Sequence, residues 1–324
     1  MSLQLNDVEV EYRGRAGRTV QAVAGVSLEV EPGEVVGLVG ESGCGKSSLA
    51  RVASGLIAPR RGNVLLDGEE IAPLSWRRRP RTELRLQMVF QNPYSSLNPR
   101  RRIGSQLADG VPADVPARSR TDRVVEQLER VGLSPDVADR FPHQFSGGQL
   151  QRIAIARALV PQPAYLIADE PVTALDASSQ VQVVQTLTGL VRELGVGMLF
   201  ISHDLALVRH IAHRTAVMYL GKVAELAPTD ELWSAPAHPY TSALTAAVPR
   251  VEVGAGLPEP LTGEVPDPGN APEGCRFRPR CPRAFEACTT EPLLRITTRP
   301  PAAGTGRQAA CWLAHDRTPT GASS

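Results

Sequence analysis

Residues 40–48 read GESGCGKSS, after the apolar run VVGLV and before the segment SLARVASGL. Glycines at this spacing let a loop wrap until successive backbone N–H groups face one point, and a following helix adds the partial positive charge of its N-terminus. A phosphate is the natural guest. The chain has 35 lysines and arginines, and only Lys46 and Lys222 are lysines. A compact ammonium fits beside phosphates where a planar guanidinium overfills a cradle built of backbone. Gly40, Gly45, Lys46 and Ser47 fill the fixed positions of G-x-x-x-x-G-K-[ST], with Glu41, Ser42, Gly43, Cys44 and Ser48 completing the loop. A Gly-rich turn without a ligand is the plain alternative.

A loop of this kind needs a buried strand before it and a helix after it, and the rest of the chain supplies the matching pattern. Residues 1–40 read as short strands: alternation in LQLNDVEVEY, then VSLEV, a turn at EPGE and the run VVGLV. SSLARVASGL reads as a short helix ending near Gly55, and NVLLDGEEI as a hairpin about Asp67-Gly68. From about 92 to 155 the pattern turns helical, as an inserted lobe. AYLIAD, SSQVQVVQTLTGLVREL, VGMLFIS and DLALVRHIA then alternate strand and helix, which implies a parallel sheet covered on its faces. In the longer helix Val181, Val184, Leu187, Leu190 and Leu194 form one apolar stripe. From about 231 the composition shifts to Pro, Gly and Cys, marking a tail or small second domain.

Three further stretches carry chemistry. In FSGGQLQRIAIARAL, Ser146 and Gln149 have the spacing of a capping box, which by itself describes any well-capped helix. Gly147 and Gly148 inside that cap leave first-turn N–H groups uncovered, so the helix start can receive an anion. In YLIADEP, Asp169 and Glu170 close an apolar strand, where α/β proteins bind ligands. A lone Asp-Glu pair is an ordinary loop charge. Downstream of a phosphate loop the roles sharpen: Asp169 with Ser47 for magnesium, Glu170 for the attacking water. ISHD presents His203 at the next strand end, within reach of a transferring phosphoryl group, although an isolated histidine is more often structural.

The bulk numbers narrow the partners. With 42% apolar and 21% charged residues the chain supports a packed core, and a net charge of +1 argues against a general grip on nucleic acid. The cluster WRRRPRTELR, 76–85, is a solvated loop or a partner-facing patch. No signal peptide is legible and no run of about 18 apolar residues occurs, so the chain is expected in the cytosol.

These motifs together resemble the ATPase subunit of an ABC transporter over about residues 1–230. In the family's order stand the phosphate loop at 40–47, the Q-loop glutamine Gln91 in VFQNP, the signature FSGGQ at 145–149, the strand and carboxylates at 165–170, the D-loop ending at Asp176, and the switch His203. The resemblance implies a parallel-sheet core with an antiparallel β subdomain and an inserted helical lobe, binding ATP and Mg2+. Tyr12 holds the place of the residue that stacks on adenine. Lys46, Gln91, Glu170 and His203 are implied in catalysis, and Ser47, Gln91 and Asp169 around magnesium. Phe145 stands for the family's usual leucine. Each nucleotide would lie between one chain's phosphate loop and another's signature. Cys44 is expected to make nucleotide binding sensitive to thiol reagents.

QNPYSSLNPR, ELWSAPAHPYTSAL and GCRFRPRCPRAFEAC followed by ACW are similar to the oligopeptide/dipeptide and nickel importer branch, with Asn92 and Gln144 as small departures. That resemblance implies two transmembrane permease subunits, a second ATPase that is a paralogue or the same chain, an extracytoplasmic substrate-binding protein, and a place on the cytoplasmic face of the membrane. A non-transport ATPase acting on DNA or ribosome is the alternative, although the long coiled-coil insertion or second cassette it calls for is missing. Cys275, Cys281, Cys288 and Cys311, at 231–324, have the number for tetrahedral zinc or an iron–sulfur cluster without the tight C-x2-C of common zinc sites. Related tails imply a 4Fe-4S cluster; zinc or plain buried thiols stay open.

Overall fold

The computed structural model describes residues 1–13, 19–74, 82–248, 263–297 and 306–315. Trp76–Arg81 of the arginine cluster lie outside the described residues.

The chain opens with β1 (Leu3–Arg13) and β2 (Thr19–Val30), which pair antiparallel, and then enters β3 (Val35–Val39), the phosphate loop and α1 (Lys46–Ala53). β4 (Arg61–Leu66) and β5 (Glu69–Glu70) follow, completing a sheet in the order β2-β1-β4-β5. The two residues between them, Asp67 and Gly68, both have positive φ, the geometry a two-residue hairpin turn needs. β6 (Leu86–Val89) leads into a helical stretch of α2 (Pro93–Ser96), α3 (Ile103–Ala108), α4 (Ala117–Arg130) and α5 (Gly147–Leu159). The expected alternation comes next: β7 (Tyr165–Asp169), α6 (Ala177–Leu194), β8 (Gly197–Ile201), α7 (Leu205–Ile211) and β9 (Arg214–Tyr219). β10 (Lys222–Pro228), α8 (Thr229–Ser234), α9 (Pro239–Ala246), β11 (Arg295–Ile296) and β12 (Gln308–Ala309) complete the strands and α-helices among the described residues.

The principal sheet runs β11-β12-β10-β9-β3-β8-β7-β6. Its centre, β9-β3-β8-β7-β6, is parallel, and both faces are covered. Period two divides each central strand between two cores: Val35 and Val39 of β3 join Met198 and Phe200 of β8 on the helical side, while Val36 and Leu38 join Leu199 and Ile201 against α1 and the antiparallel sheet. This double burial is why these strands read as unbroken apolar runs.

The stripe on α6 falls differently from the sequence reading. Val183, Val184, Leu187, Leu190 and Val191 are buried, whereas Val181 is 56% exposed and Leu194 40%. A helix turns 100° per residue, so Val181 sits well off the line through Val184 and Leu187, while Leu194 is the last helical residue.

The tail is also not a body apart. β12 pairs antiparallel with β10, β11 pairs with β12, and Leu232, Tyr240, Leu244 and Phe277 lie in the same core as Val39 and Phe200. Arg307, just before β12, is buried beside Glu225 of β10, Nε to Oε1 3.6 Å; Glu225 also accepts the N–H groups of Ala237 and His238. Weak periodicity hid this because the segment packs through scattered single residues. Phe277→Ala is expected to cost about 3–5 kcal/mol and to lower one unfolding transition of the whole chain in calorimetry. An early transition confined to the tail, with the main one unmoved, would contradict the shared core.

Candidate active site

The phosphate loop leaves β3 at the carboxyl edge of the parallel sheet and ends at Gly45, the N-cap of α1, with φ 107°. A Cβ at Gly45 would lie 2.1 Å from the carbonyl oxygen of Ala22, and one at Gly40 2.1 Å from that of Met218, so both positions need glycine for close backbone approach. Lys46 is buried, its Nζ donating to the carbonyls of Gly40 at 2.8 Å and Glu41 at 3.0 Å. Ser42 and Gly43 are exposed at the loop tip, and Ser47 and Ser48 stand half-buried in the first turn of α1.

β6, β7 and β8 lie side by side, and their carboxyl ends deliver Gln91, the Asp169-Glu170 pair and His203 to one place. Ser47 Oγ donates to Asp169 Oδ1 at 3.0 Å, joining loop to sheet. Burial pushes the Asp169 carboxyl above its usual range, opposed by that hydrogen bond. Glu170 has φ 45°, in the left-handed region, and donates its N–H to Ile201 at 3.0 Å. Such strain in a non-glycine residue persists where surroundings over-determine it. Its Oε2 accepts from Gln91 Nε2 at 2.9 Å and Thr173 Oγ1 at 3.2 Å, and its Oε1 lies 3.5 Å from His203 Nδ1. Thr173 gave no sequence signal beyond following Glu170 by three residues.

The signature forms the expected cap at the start of α5: Gln149 N–H donates to Ser146 Oγ at 3.4 Å and Ser146 N–H to Gln149 Oε1 at 3.0 Å. A Cβ on Gly148 would lie 2.8 Å from Ser179 Oγ, so α5 meets the first turn of α6 closely and a side chain at 148 would force Ser179 to shift. Gly147 stands just before it. Asp176 caps α6, accepting from Ser179 N–H at 3.0 Å and from the hydroxyls of Ser178 and Ser179, which hold its carboxyl far below the usual range. The signature and D-loop turns are thus neighbours. No hydrogen bond among the described residues joins them to the phosphate loop. Tyr12 sits near the end of β1, 39% exposed.

Glu41 departs from a simple loop position. Its carboxylate receives Arg280 Nη1 at 2.7 Å and Nη2 at 3.1 Å, and its N–H donates to the hydroxyl of Tyr240 at 3.0 Å. Neither partner was legible in the sequence, because each lies about 200 or more positions away.

Sequence and fold comparisons give the family. The pattern of the family described as "ABC transporter" matches residues 23–173, and that of "Oligopeptide/dipeptide transporter, C-terminal region" matches 224–288. A Sinorhizobium fredii protein named "Probable peptide ABC transporter ATP-binding protein y4tS" is 48% identical over 314 residues, covering 94% of this chain and 84% of that one. The chain belongs to the ABC transporter ATP-binding family. The oligopeptide transport ATP-binding protein OppF of Escherichia coli is 44% identical over 322 residues, covering 92% of this chain and 93% of its own. The ATP-binding cassette MJ0796, solved as a dimer in a post-hydrolysis state bound to ADP and Pi, superposes with TM-score 0.61 at 28% identity, over 70% of this chain and 98% of that one. An ABC ATPase is an ATP-hydrolysing cassette; among the described residues no helix of this one is long and apolar enough to cross a membrane.

The four tail cysteines line one cavity together with His238 and Trp312. Burial raises the Cys275 and Cys281 thiols and lifts Cys311 to about 11. Among the described residues no group of three or more His, Cys, Asp or Glu side chains is placed to hold a metal ion, so neither the zinc nor the 4Fe-4S reading gains support from that geometry.

Cys44 corrects one expectation. It is 3% exposed, and burial raises its thiol above the usual range, while only thiolate is nucleophilic. In the folded chain a maleimide should leave Cys44 unlabelled and nucleotide binding intact. Peptide mapping should find the label there only after denaturation.

Proposed function

We propose that this chain is the ATP-binding and ATP-hydrolysing subunit that powers ABC-type import of peptides, working in a nucleotide-sandwich dimer. The carrying observation is the convergence of Gln91, Thr173 and His203 on Glu170 beside the Ser47–Asp169 contact. In this reading the triphosphate enters the loop and draws Lys46 Nζ from the carbonyls of Gly40 and Glu41 toward the β- and γ-phosphates. The N–H groups at the start of α1 face the same anion. Ser47 and Asp169 would hold magnesium, which would supply charge neutralisation on the phosphate oxygens. Buried Asp169 suits this role, since a divalent cation offsets the cost of its ionised form. The Gln91 amide nitrogen is engaged by Glu170, so its carbonyl oxygen is the atom available to the cation. Glu170 orients the attacking water and takes its proton as the bond from the γ-phosphorus to the ADP oxygen breaks. His203 hydrogen-bonds the transferring group.

The second half of the site is Ser146, Gly147, Gly148 and Gln149 of a partner cassette, a paralogue or a second copy. Asp176, touching its own signature helix through Ser179, links closure at one site to the other. Tyr12, exposed on the antiparallel sheet, serves the adenine. Residues 1–230 act as the nucleotide-binding unit and 231–324 as an importer-type tail. Peptide cargo draws its support from relatives named for peptide transport and from the tail match over 224–288. Those relatives give the DNA- or ribosome-acting alternative no support. With this chain at the cytoplasmic face of the membrane, two transmembrane permease subunits fed by an extracytoplasmic binding protein complete the machine.

Glu170→Gln should retain ATP binding, lower phosphate release by about 10²–10⁴-fold and accumulate an ATP-loaded dimer in size-exclusion chromatography. Undiminished hydrolysis by this variant would remove Glu170 from its role.

For the tail, we infer a 4Fe-4S cluster on Cys275, Cys281, Cys288 and Cys311. Support comes from four thiols around one cavity and from the donor set itself, since Cys275, Cys281, Cys288 and Cys311 would supply the four thiolates such a cluster takes. The cluster would tie the small apolar group of Ala309, Cys311 and Ala314 to the Cys275 and Cys281 loop that packs on the main core. Anaerobically purified protein should be brown, with visible iron–sulfur absorption that Cys311→Ser bleaches. A colourless, iron-free and folded chain would overturn this assignment.

A further inference from the structure

Of the three arginines between Cys275 and Cys281, Arg280 reaches the phosphate loop and Arg276 reaches the turn beside it. Arg280 forms a two-pronged ion pair with Glu41, its side chain 4% exposed and its guanidinium also near the Tyr219 hydroxyl at 3.4 Å. The flanking rings of Tyr219 and Phe277 lie 5.8 and 6.0 Å from its central carbon. Arg276 donates to Gln21 Oε1 at 2.9 Å and to the carbonyl of Leu220. Leu220 adjoins Gly221, whose N–H holds the carbonyl of Cys44 at 2.8 Å. The tail therefore grips the loop near its entry, through Glu41, and braces the Leu220-Gly221 turn that holds the Cys44 carbonyl. A planar guanidinium on a carboxylate fixes direction as well as distance, which a lone ammonium does not.

Glu41 sits where that grip matters. Its carbonyl accepts Lys46 Nζ, its N–H is taken by Tyr240, and its carboxylate faces Arg280 rather than the loop interior. Its N–H and its carboxylate are fixed before any phosphate arrives by partners that nucleotide entry leaves in place, so this part of the loop need not be ordered at the moment of binding.

We propose that Arg280 is a positioning residue for nucleotide: acting through Glu41, it holds the phosphate loop in its binding-competent form and makes nucleotide affinity depend on the C-terminal tail. The inference rests on the nucleotide reading of the loop. Arg280 touches no phosphate itself.

The test uses the full chain, with a fluorescent N-methylanthraniloyl ATP and Mg2+ as probe. Binding is measured well below each variant's thermal midpoint. Arg280→Gln and Glu41→Gln should each raise the probe's Kd by about tenfold, roughly 1.4 kcal/mol, and the double variant should be no worse than either single one. Arg280→Lys should recover only part of the loss. In steady-state hydrolysis, Arg280→Gln should raise KM for ATP far more than it lowers kcat. If Arg280→Gln does not fold, Glu41→Gln alone decides, because it keeps the shape and breaks the same pair. Wild-type affinity in both single variants with lowered thermal midpoints would leave only a structural clamp and overturn the proposal, as would a multiplicative loss in the double variant. Failure of the wild-type chain to bind the probe would instead overturn the nucleotide reading.

Discussion

Close backbone packing beneath the phosphate loop is the constraint on which the rest depends. Carbonyl oxygens of Ala22 and Met218 occupy the space where side chains at positions 45 and 40 would begin. The Cys44 carbonyl is held by Gly221 N–H, and the Gly221 carbonyl in turn accepts from Ala24 at 2.9 Å. The loop is thereby wedged between β2 and the β9–β10 turn. Its shape comes from the union of the antiparallel sheet with the parallel one, and neither sheet alone would supply it.

From that anchor the sheet order does the remaining work. β3 stands beside β8, then β7 and β6, so residues separated by long stretches of chain emerge on one edge in the order phosphate loop, His203, Asp169 with Glu170, and Gln91. A right-twisted parallel sheet with helices on its faces offers that edge as an opening. The cost is local: Glu170 carries a left-handed backbone conformation and Asp169 a carboxyl whose ionisation burial opposes. Both are held by hydrogen bonds, so the strain is stored in a structure that does not relax it.

The tail shares this arrangement. Its strands extend the sheet from β10 and its aromatic residues fill the helical-side core, with the Tyr219, Tyr240 and Phe277 rings 4.6 to 5.3 Å apart. A segment that contributes Phe277 to the main core and Arg280 to the phosphate loop is coupled to the nucleotide end of the molecule by packing, whatever its cysteines hold.

Local order was open to reading from sequence. The strand at 35–39, the capping box of Ser146 and Gln149, the Asp67-Gly68 turn and the carboxylates at 169–170 each depend on residues within a few positions of one another, and spacing encodes such relations directly. The stripe on α6 was misread at Val181 because several apolar residues compete for one face and only the neighbour it meets decides among them. Tertiary structure alone decided that Cys44 is shut away from solvent, that Thr173 holds Glu170, that Gly148 lies against Ser179, and that Glu41 belongs to Arg280, 239 positions distant. Those contacts arise from complementary shapes brought together by the sheet, and no periodicity along the chain records which distant side chain will arrive.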